Sequence, residues 1–244
     1  MNGFEYLCTM IDVLWEDNHL MFVNKAAGIP VQGDSTGDTH LLQMAEEYIR
    51  VKYKKPGAAY VGLIHRIDRP VSGIVLFAKT SKALVRLNEI FKEKENIKIY
   101  HCLTTEQLPD TEGTLEHFLG KDSNTHRALT YNKQKAGAKK AILHYKLLAN
   151  RGTKFLYQIH LETGRFHQIR AQLAKVGSPI LGDLKYGANE ALPDRSIALH
   201  ARQLITPHAV KTNPEISVIA PYPKKQWWQL FNDSPKKSDP KKRH

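Results

Sequence analysis

The chain has 244 residues, of which 41% are hydrophobic, enough for one large domain with a buried core and unlike a disordered or fibrous protein. No run approaches the roughly 18 apolar residues of a membrane span, and the N-terminus carries acids where a secretory signal needs a basic segment and an apolar one. A soluble, cytoplasmic protein without a membrane partner is therefore expected. The net charge of +12 is uneven, since residues 51–232 hold 29 basic and 14 acidic residues while residues 1–50 hold two and eight; a basic body is the footprint of a polyanion binder, with nucleic acid as the leading reading and an acidic metabolite or a plain solvated surface as the alternatives.

In chain order, "DVLW" and "LMFVNK" read as strands from their apolar and β-branched content. "THLLQMAEEYIRVKYKK" sets Leu41, Met44, Ala45 and Tyr48 on one helical face. "YVGLIH" and "GIVLFAKT" are strands, followed by a helix over "SKALVRLNEIFKEKE" with Leu84, Leu87 and Phe91 on one face and Thr80 or Ser81 as its cap. "IKIYHCLTT" is a strand, and the polar, Gly/Lys-rich segment 104–140 is expected to form surface hairpins and loops. Two more strands, "AILHYKLLA" and "KFLYQIHLE", lead to a helix starting at about Arg165. That helix stacks Phe166, Ile169, Leu173 and Val176, and Gly177 closes it. "IALHARQLIT" and "EISVIA" are the last strands.

Many strands with few separated helices indicate an α+β fold with a mainly antiparallel sheet, and no βαβ alternation supports a doubly wound one. The folded body is expected to span 1–232, with a basic, disordered tail over 233–244. Cys8 and Cys102 are too few for a disulfide framework and read as packing residues. The histidines form no standard ligand ladder, so no metal site is expected.

Three stretches carry chemistry. In "HRIDRPVSG", residues 65–73, Asp68 stands between Arg66 and Arg69. So placed, it suits a nucleophile or charge stabiliser better than a general acid, and Pro70 and Gly73 supply a turn into the next strand. By itself the run reads more readily as a structural ion pair than as a reacting carboxylate. In "IKIYHCLTT", Lys98 and Tyr100 share one strand face, where a ring beside an ammonium can stack on a base. In "LETGRFHQIRAQLAKVG", Arg165 falls on the first turn of a helix, where free N–H groups favour anions, with Gln168 and Arg170 close behind. Arg165, Gln168, Gln172 and Lys175 also fit an ordinary solvated helix face.

Together these blocks resemble the RluA-type pseudouridine synthases. The matching stretches, in order, are "NKAAGIPV" (24–31), "HRIDRPVSG" (65–73), "KIYHC" (98–102), "TGRFHQIRAQL" (163–173), "PILGDLKYG" (179–187) and "LHARQL" (199–204). The resemblance implies the pseudouridine-synthase fold, a mixed, mostly antiparallel sheet with flanking helices and a central cleft. It implies Asp68 as the catalytic aspartate, Tyr100 as the active-site tyrosine and Arg165 as the cation paired with the aspartate. Arg66 would fill the space left by a flipped base, and Leu199 would touch that base. His65, Arg69, Lys98, Gln168 and Arg170 would complete the substrate contacts. The implied reaction breaks the N1–C1′ bond of a uridine in rRNA or tRNA, turns the uracil and joins C5 to C1′, with no cofactor or metal. Ala26, Val71, Cys102 and Gln172 depart from the family pattern without removing a reacting group. Only 23 residues precede "NKAAG", so an N-terminal S4 domain is expected to be absent. RNA is the expected partner, with no obligatory protein partner and a monomeric state. The rival reading is a catalytically idle RNA-binding or assembly protein of the same fold.

Overall fold

The apolar runs of the first third pair into strands buried on both faces. In the computed structural model, which describes residues 11–210 and 215–231, β1 (Asp12–Glu16), β2 (Leu20–Lys25), β3 (Gly62–Leu63) and β4 (Ser72–Ala78) form this region. Met21, Val23, Val75 and Phe77 join one apolar cluster, while Leu20, Phe22, Ile74 and Leu76 join another, so the pleat sends alternate residues to opposite cores. That explains unbroken apolar runs where a half-exposed strand would alternate. Helix α1 (Leu41–Lys52) buries Leu41, Met44, Ala45 and Ile49 in the first cluster, and α2 (Ser81–Lys92) places Ala83 and Leu87 in the second. Thr80 caps α2 through Ala83 N–H at 3.2 Å.

The remaining strands are β5 (Ile97–Thr104), β6 (Glu112–Asp122), β7 (Arg127–Tyr131), β8 (Lys139–Arg151), β9 (Lys154–Leu161), β10 (Leu199–Pro207) and β11 (Glu215–Ile219). They continue one sheet in the order β1-β2-β4-β10-β5-β9-β8-β6-β7, with β3 added against β4 and β11 against β10. Segment 104–140, expected as hairpins and loops, forms the antiparallel β6–β7 hairpin. Among the described residues every strand pair is antiparallel except β4 with β10, which matches His200 to Ser72 and Ala201 to Gly73. The two strands run together over that short length and then diverge, β3 filling one side of the gap and β11 the other.

Gly73 permits this junction. It lies inside β4 rather than in the turn before it, at φ +111°, and a Cβ there would meet the Ala201 carbonyl oxygen at 2.3 Å. Only glycine lets the two backbones approach so closely. Asp68 is on the β3–β4 loop that enters this junction.

Helix α3 spans Gln168–Lys175, and α4 (Gln226–Gln229) closes the described chain. α3 starts three residues later than the sequence suggests, because His167 takes a left-handed conformation at φ +51°. Of its expected solvated face, Arg165 and Lys175 are exposed, but Gln168 and Gln172 are buried, as is Arg170. Gln172 is held through its amide nitrogen, which donates to Leu115 O (2.9 Å) and Ala141 O (3.2 Å), while its buried Oε1 has no hydrogen-bond partner among the described residues. Cys102 is a fully buried free thiol, while Cys8 and the tail over 233–244 lie outside the described residues. No helix among the described residues is long and apolar enough to cross a membrane.

Candidate functional site

The sheet and α3 enclose a cleft of about 750 Å3 whose floor is the β3–β4 loop and whose walls come from β5, β9, β10 and the start of α3. Asp68, Tyr100, Leu199, Lys98, Arg66 and Arg165 all line it. The topology brings them together: β10 and β5 are neighbours, pairing Leu199 with Cys102 and Ala201 with Tyr100.

Asp68 is held from the α3 side. Arg170 Nη1 donates to its Oδ2 at 3.0 Å, and His167 Nε2 lies 3.4 Å from the same oxygen. Arg170 is clamped in turn by Asp183, through Nε to Oδ2 at 2.7 Å and Nη2 to Oδ1 at 2.8 Å. This is a two-pronged guanidinium–carboxylate pair, strong and directional. Burial works against Arg170's charge, but Asp183 and Asp68 outweigh it and hold the guanidinium above its ordinary pKa. The side chain of Asp68 stays 27% exposed, against 6% for Arg170 and 1% for Asp183, so one carboxylate faces the cleft and the other is a buried anchor.

The cation on Asp68 is therefore Arg170, not the expected Arg165. Arg165 lies before the helix, is exposed, and donates through Nε to Lys140 O at 3.0 Å. The helical spacing that would carry its guanidinium toward Asp68 is absent, because the left-handed His167 interposes a turn. Nor do the flanking arginines bond Asp68. Arg66 is exposed and makes no hydrogen bond or ion pair among the described residues, so its guanidinium is available at the cleft. Arg69 instead ties down loop 28–38, donating to Gly28 O (2.9 Å) and pairing with Asp38 (2.5 Å).

Two expected substrate contacts are used internally. Gln168 Oε1 accepts from Thr163 Oγ1 (2.8 Å) and Arg165 N–H (2.9 Å), while its Nε2 donates to Ile142 O (3.0 Å), stapling the "TGR" turn. His65 stacks on Phe91 with ring centroids 5.2 Å apart and accepts from Leu76 N–H at 3.1 Å. Burial, aided by the charge of Lys98, lowers its pKa to about 3, so it is a neutral acceptor that holds the strand edge. Lys98 lies 5.5 Å from the Phe91 ring centroid, and its pKa is lowered by burial and by Lys94.

Tyr100 is buried in the β5 wall of the cleft, and burial, reinforced by Asp68, pushes its phenol well above the ordinary range. It meets any ligand as a neutral O–H with an apolar ring.

Four supporting residues are absent from the sequence-based site. His167 bonds Tyr186 Oη through Nδ1 at 2.9 Å, and burial lowers its pKa to about 4 although Asp68 opposes the shift. Tyr186 accepts from Ala128 N–H at 2.7 Å, linking the site to the β6–β7 hairpin. Asp183 and Tyr186 belong to "PILGDLKYG", so that block supports the two side chains that touch Asp68. Lys25, fully buried, donates to Ala26 O (2.9 Å), Ile29 O (2.8 Å) and Arg69 O (3.1 Å), binding the Asp68 loop to β2. Burial lowers its pKa to about 7, against the pull of Asp68. The signal for all four is their place in matching stretches, Lys25 in "NKAAGIPV", His167 in "TGRFHQIRAQL", and Asp183 and Tyr186 in "PILGDLKYG".

The arrangement offers one carboxylate to a cleft, fixed by a buried guanidinium, with the neutral Tyr100 ring in one wall and Arg66, unpaired among the described residues, at the rim. Comparison with known proteins gives the family. The family model for RNA pseudouridylate synthase matches residues 19–175. An RNA pseudouridine synthase of Bacillus subtilis, YhcT, carried under the name "uncharacterized", is 33% identical over 216 residues, covering 87% of this chain and 69% of that protein. The ribosomal large subunit pseudouridine synthase C of Rickettsia prowazekii is 33% identical over 213 residues, covering 86% and 68%. Among solved structures, human RNA pseudouridylate synthase domain containing 4 superposes with a TM-score of 0.74 at 20% identity over 91% of each chain, which establishes the shared fold. With its fold, its cleft and its relatives in accord, the chain belongs to the RNA pseudouridylate synthase family and is an isomerase of RNA uridine.

Proposed function

We propose that this chain isomerises a specific uridine in structured rRNA or tRNA, with Asp68 as the acting carboxylate. The observation that carries this reading is the isolation of Asp68 as the cleft-facing member of the Asp183–Arg170–Asp68 chain. A uridine leaves its stack, at a cost of a few kcal/mol where it was paired, and enters beside Tyr100 and Leu199. Asp68 acts on the sugar or the base as the N1–C1′ bond breaks. The uracil turns against the Tyr100 ring, C5 joins C1′, and the C5 proton leaves while N1 gains one, so no co-reactant is consumed. Because Tyr100 is a neutral phenol, its part is stacking; it takes the C5 proton only if its own proton first passes to Asp68. Arg170 takes the positioning role that the family resemblance suggested for Arg165, and Arg66 and Arg165 face the RNA. Phosphate contacts by the basic body offset the cost of extruding the base. We take residues 1–232 as the catalytic unit, with the basic segment 233–244 adding RNA affinity.

Likeness to the Rickettsia protein makes large-subunit rRNA the first transcript to test, with tRNA second. On transcripts labelled with tritium at uridine C5, the wild-type protein should release tritium. Asp68→Asn and Asp68→Ala should release none while still retaining RNA on a filter. Normal tritium release by either variant would remove Asp68 from the chemistry, and RNA retention without release by the wild-type protein on any transcript would favour an idle binding protein.

A further inference from the structure

One aromatic ring at the mouth of the cleft has no part in the roles above. Phe166 lies in the turn between Arg165 and His167 and is 43% exposed, although the sequence pattern assigned it to a buried helical stripe. One ring face rests on the His167 imidazole, with centroids 3.8 Å apart and planes 19° from parallel. That imidazole is the one standing against Asp68. The turn displaying the ring is rigid, with His167 held left-handed and Gln168 pinned to Thr163 and to the Arg165 amide. Positive charge surrounds it: Lys121 Nζ is 5.3 Å from the ring centroid, and Arg66 and Arg165 share the cleft. Of the exposed aromatic side chains among the described residues, Tyr53, Tyr60 and Phe166, Phe166 is the one lining the cleft.

A flat apolar face, fixed on a rigid turn beside the cleft carboxylate and rimmed by cations, has the chemistry of a nucleobase platform. We propose that Phe166 stacks the unpaired base adjacent to the uridine that enters the cleft, and so helps select the RNA sequence or loop that is modified. The proposal rests on the RNA-modifying reading given above. Stacking of a base outweighs an exposed ammonium–ring contact, so Lys121 yields its place over the ring and moves to the flanking phosphate.

The test uses short single-stranded RNAs with a central uridine and 2-aminopurine on its 5′ or 3′ side, whose emission falls on stacking. The wild-type protein and Phe166→Trp should quench one of the two RNAs. Phe166→Ala and Phe166→Leu should lose the quenching and raise KM for a modified transcript by roughly tenfold, as expected for one lost aromatic stack, with kcat little changed. Leucine keeps the packing on His167 but lacks the π face. If Phe166→Leu behaves as wild type in quenching and KM, the ring is packing only and the platform is refuted; unchanged quenching in Phe166→Ala refutes it equally. Ring-dependent quenching by a wild-type protein that forms no pseudouridine would overturn the enzymatic reading and leave the platform standing.

Discussion

Removing the buried anchor of Asp68 should reveal whether Arg170 acts on the fold, on the chemistry, or on both. Arg170 spends Nε and Nη2 on Asp183 at 2.7 and 2.8 Å, and Nη1 on Asp68 at 3.0 Å. Asp183→Ala leaves a guanidinium that is 6% exposed without its two-pronged partner, keeping only the Nη1 contacts to Asp68 and to His167 Nε2. Breaking a buried pair from one side costs about 3–5 kcal/mol, which for a chain of this size lowers Tm by roughly 6–20 °C. Replacing both members by apolar residues of similar volume, as Arg170→Met with Asp183→Leu, removes the unpaired charge, and such exchanges are often near neutral. The double variant should therefore be more stable than Asp183→Ala, with a coupling of at least about 2 kcal/mol in the full cycle of Arg170→Met, Asp183→Leu and the double variant. Asp68 can tolerate the loss, because its partly exposed carboxylate can be hydrated. Turnover should not recover, since Asp68 then lacks the group that aims it; a loss of at least ~100-fold is expected for a preorganised charged contact at a reacting centre. Urea unfolding followed by tryptophan emission gives the stabilities, and tritium release gives the rates. Additive destabilisation in the cycle would refute the buried coupled unit. A stable double variant with wild-type turnover would refute the positioning of Asp68 by Arg170.

Gly73→Ala should destabilise the protein by at least about 3 kcal/mol in urea melts, combining left-handed strain with a clash. Its Cβ would lie 2.3 Å from Ala201 O at φ +111°, and a loss under about 1 kcal/mol would mean that β4 and β10 pair less closely than described. Acid should weaken the fold below pH 6.5, because His65 and His200 have pKa values lowered to about 3, and His101 and His167 to about 4, mainly by burial. The unfolded chain then binds the extra protons, so stability is fully present above the unfolded value and falls with pH by up to about 1.4 kcal/mol per unit for each histidine. His65→Gln should make the slope between pH 6.5 and 5 shallower by about one proton, and a flat wild-type profile over that range would contradict these buried neutral rings.

The sequence made legible those features in which local pattern and burial agree. β2 and β4 carry unbroken apolar runs at 20–23 and 74–78, α1 and α2 each carry one apolar face, and Thr80 supplies a side-chain cap, so their places follow from local pattern. Asp68 and Tyr100 were legible through their blocks, and the structure lines one cleft with both. α3 was misread because it is buried on nearly all sides. Gln168 and Gln172 look like solvent-facing positions, yet carbonyls of β6 and β8 and the "TGR" turn consume their amides.

The exchange of Arg165 for Arg170 has a single physical origin, the backbone of His167. A helix begun at Arg165 would place Phe166 on the buried stripe with Ile169 and Leu173. With His167 left-handed, the helix begins at Gln168, Phe166 turns out to the cleft mouth, and Arg170 becomes the first guanidinium facing Asp68. A positive φ at a residue other than glycine is costly. Here the surroundings impose it: Tyr186 holds Nδ1 of the ring, Phe166 stacks on its face, and Gln168 staples the turn on either side. Asp183 and Tyr186, contributed by one short block after α3, thus determine which arginine meets the carboxylate. Tertiary contacts of this kind leave no periodic trace, so the block could be quoted from the sequence while its purpose could not.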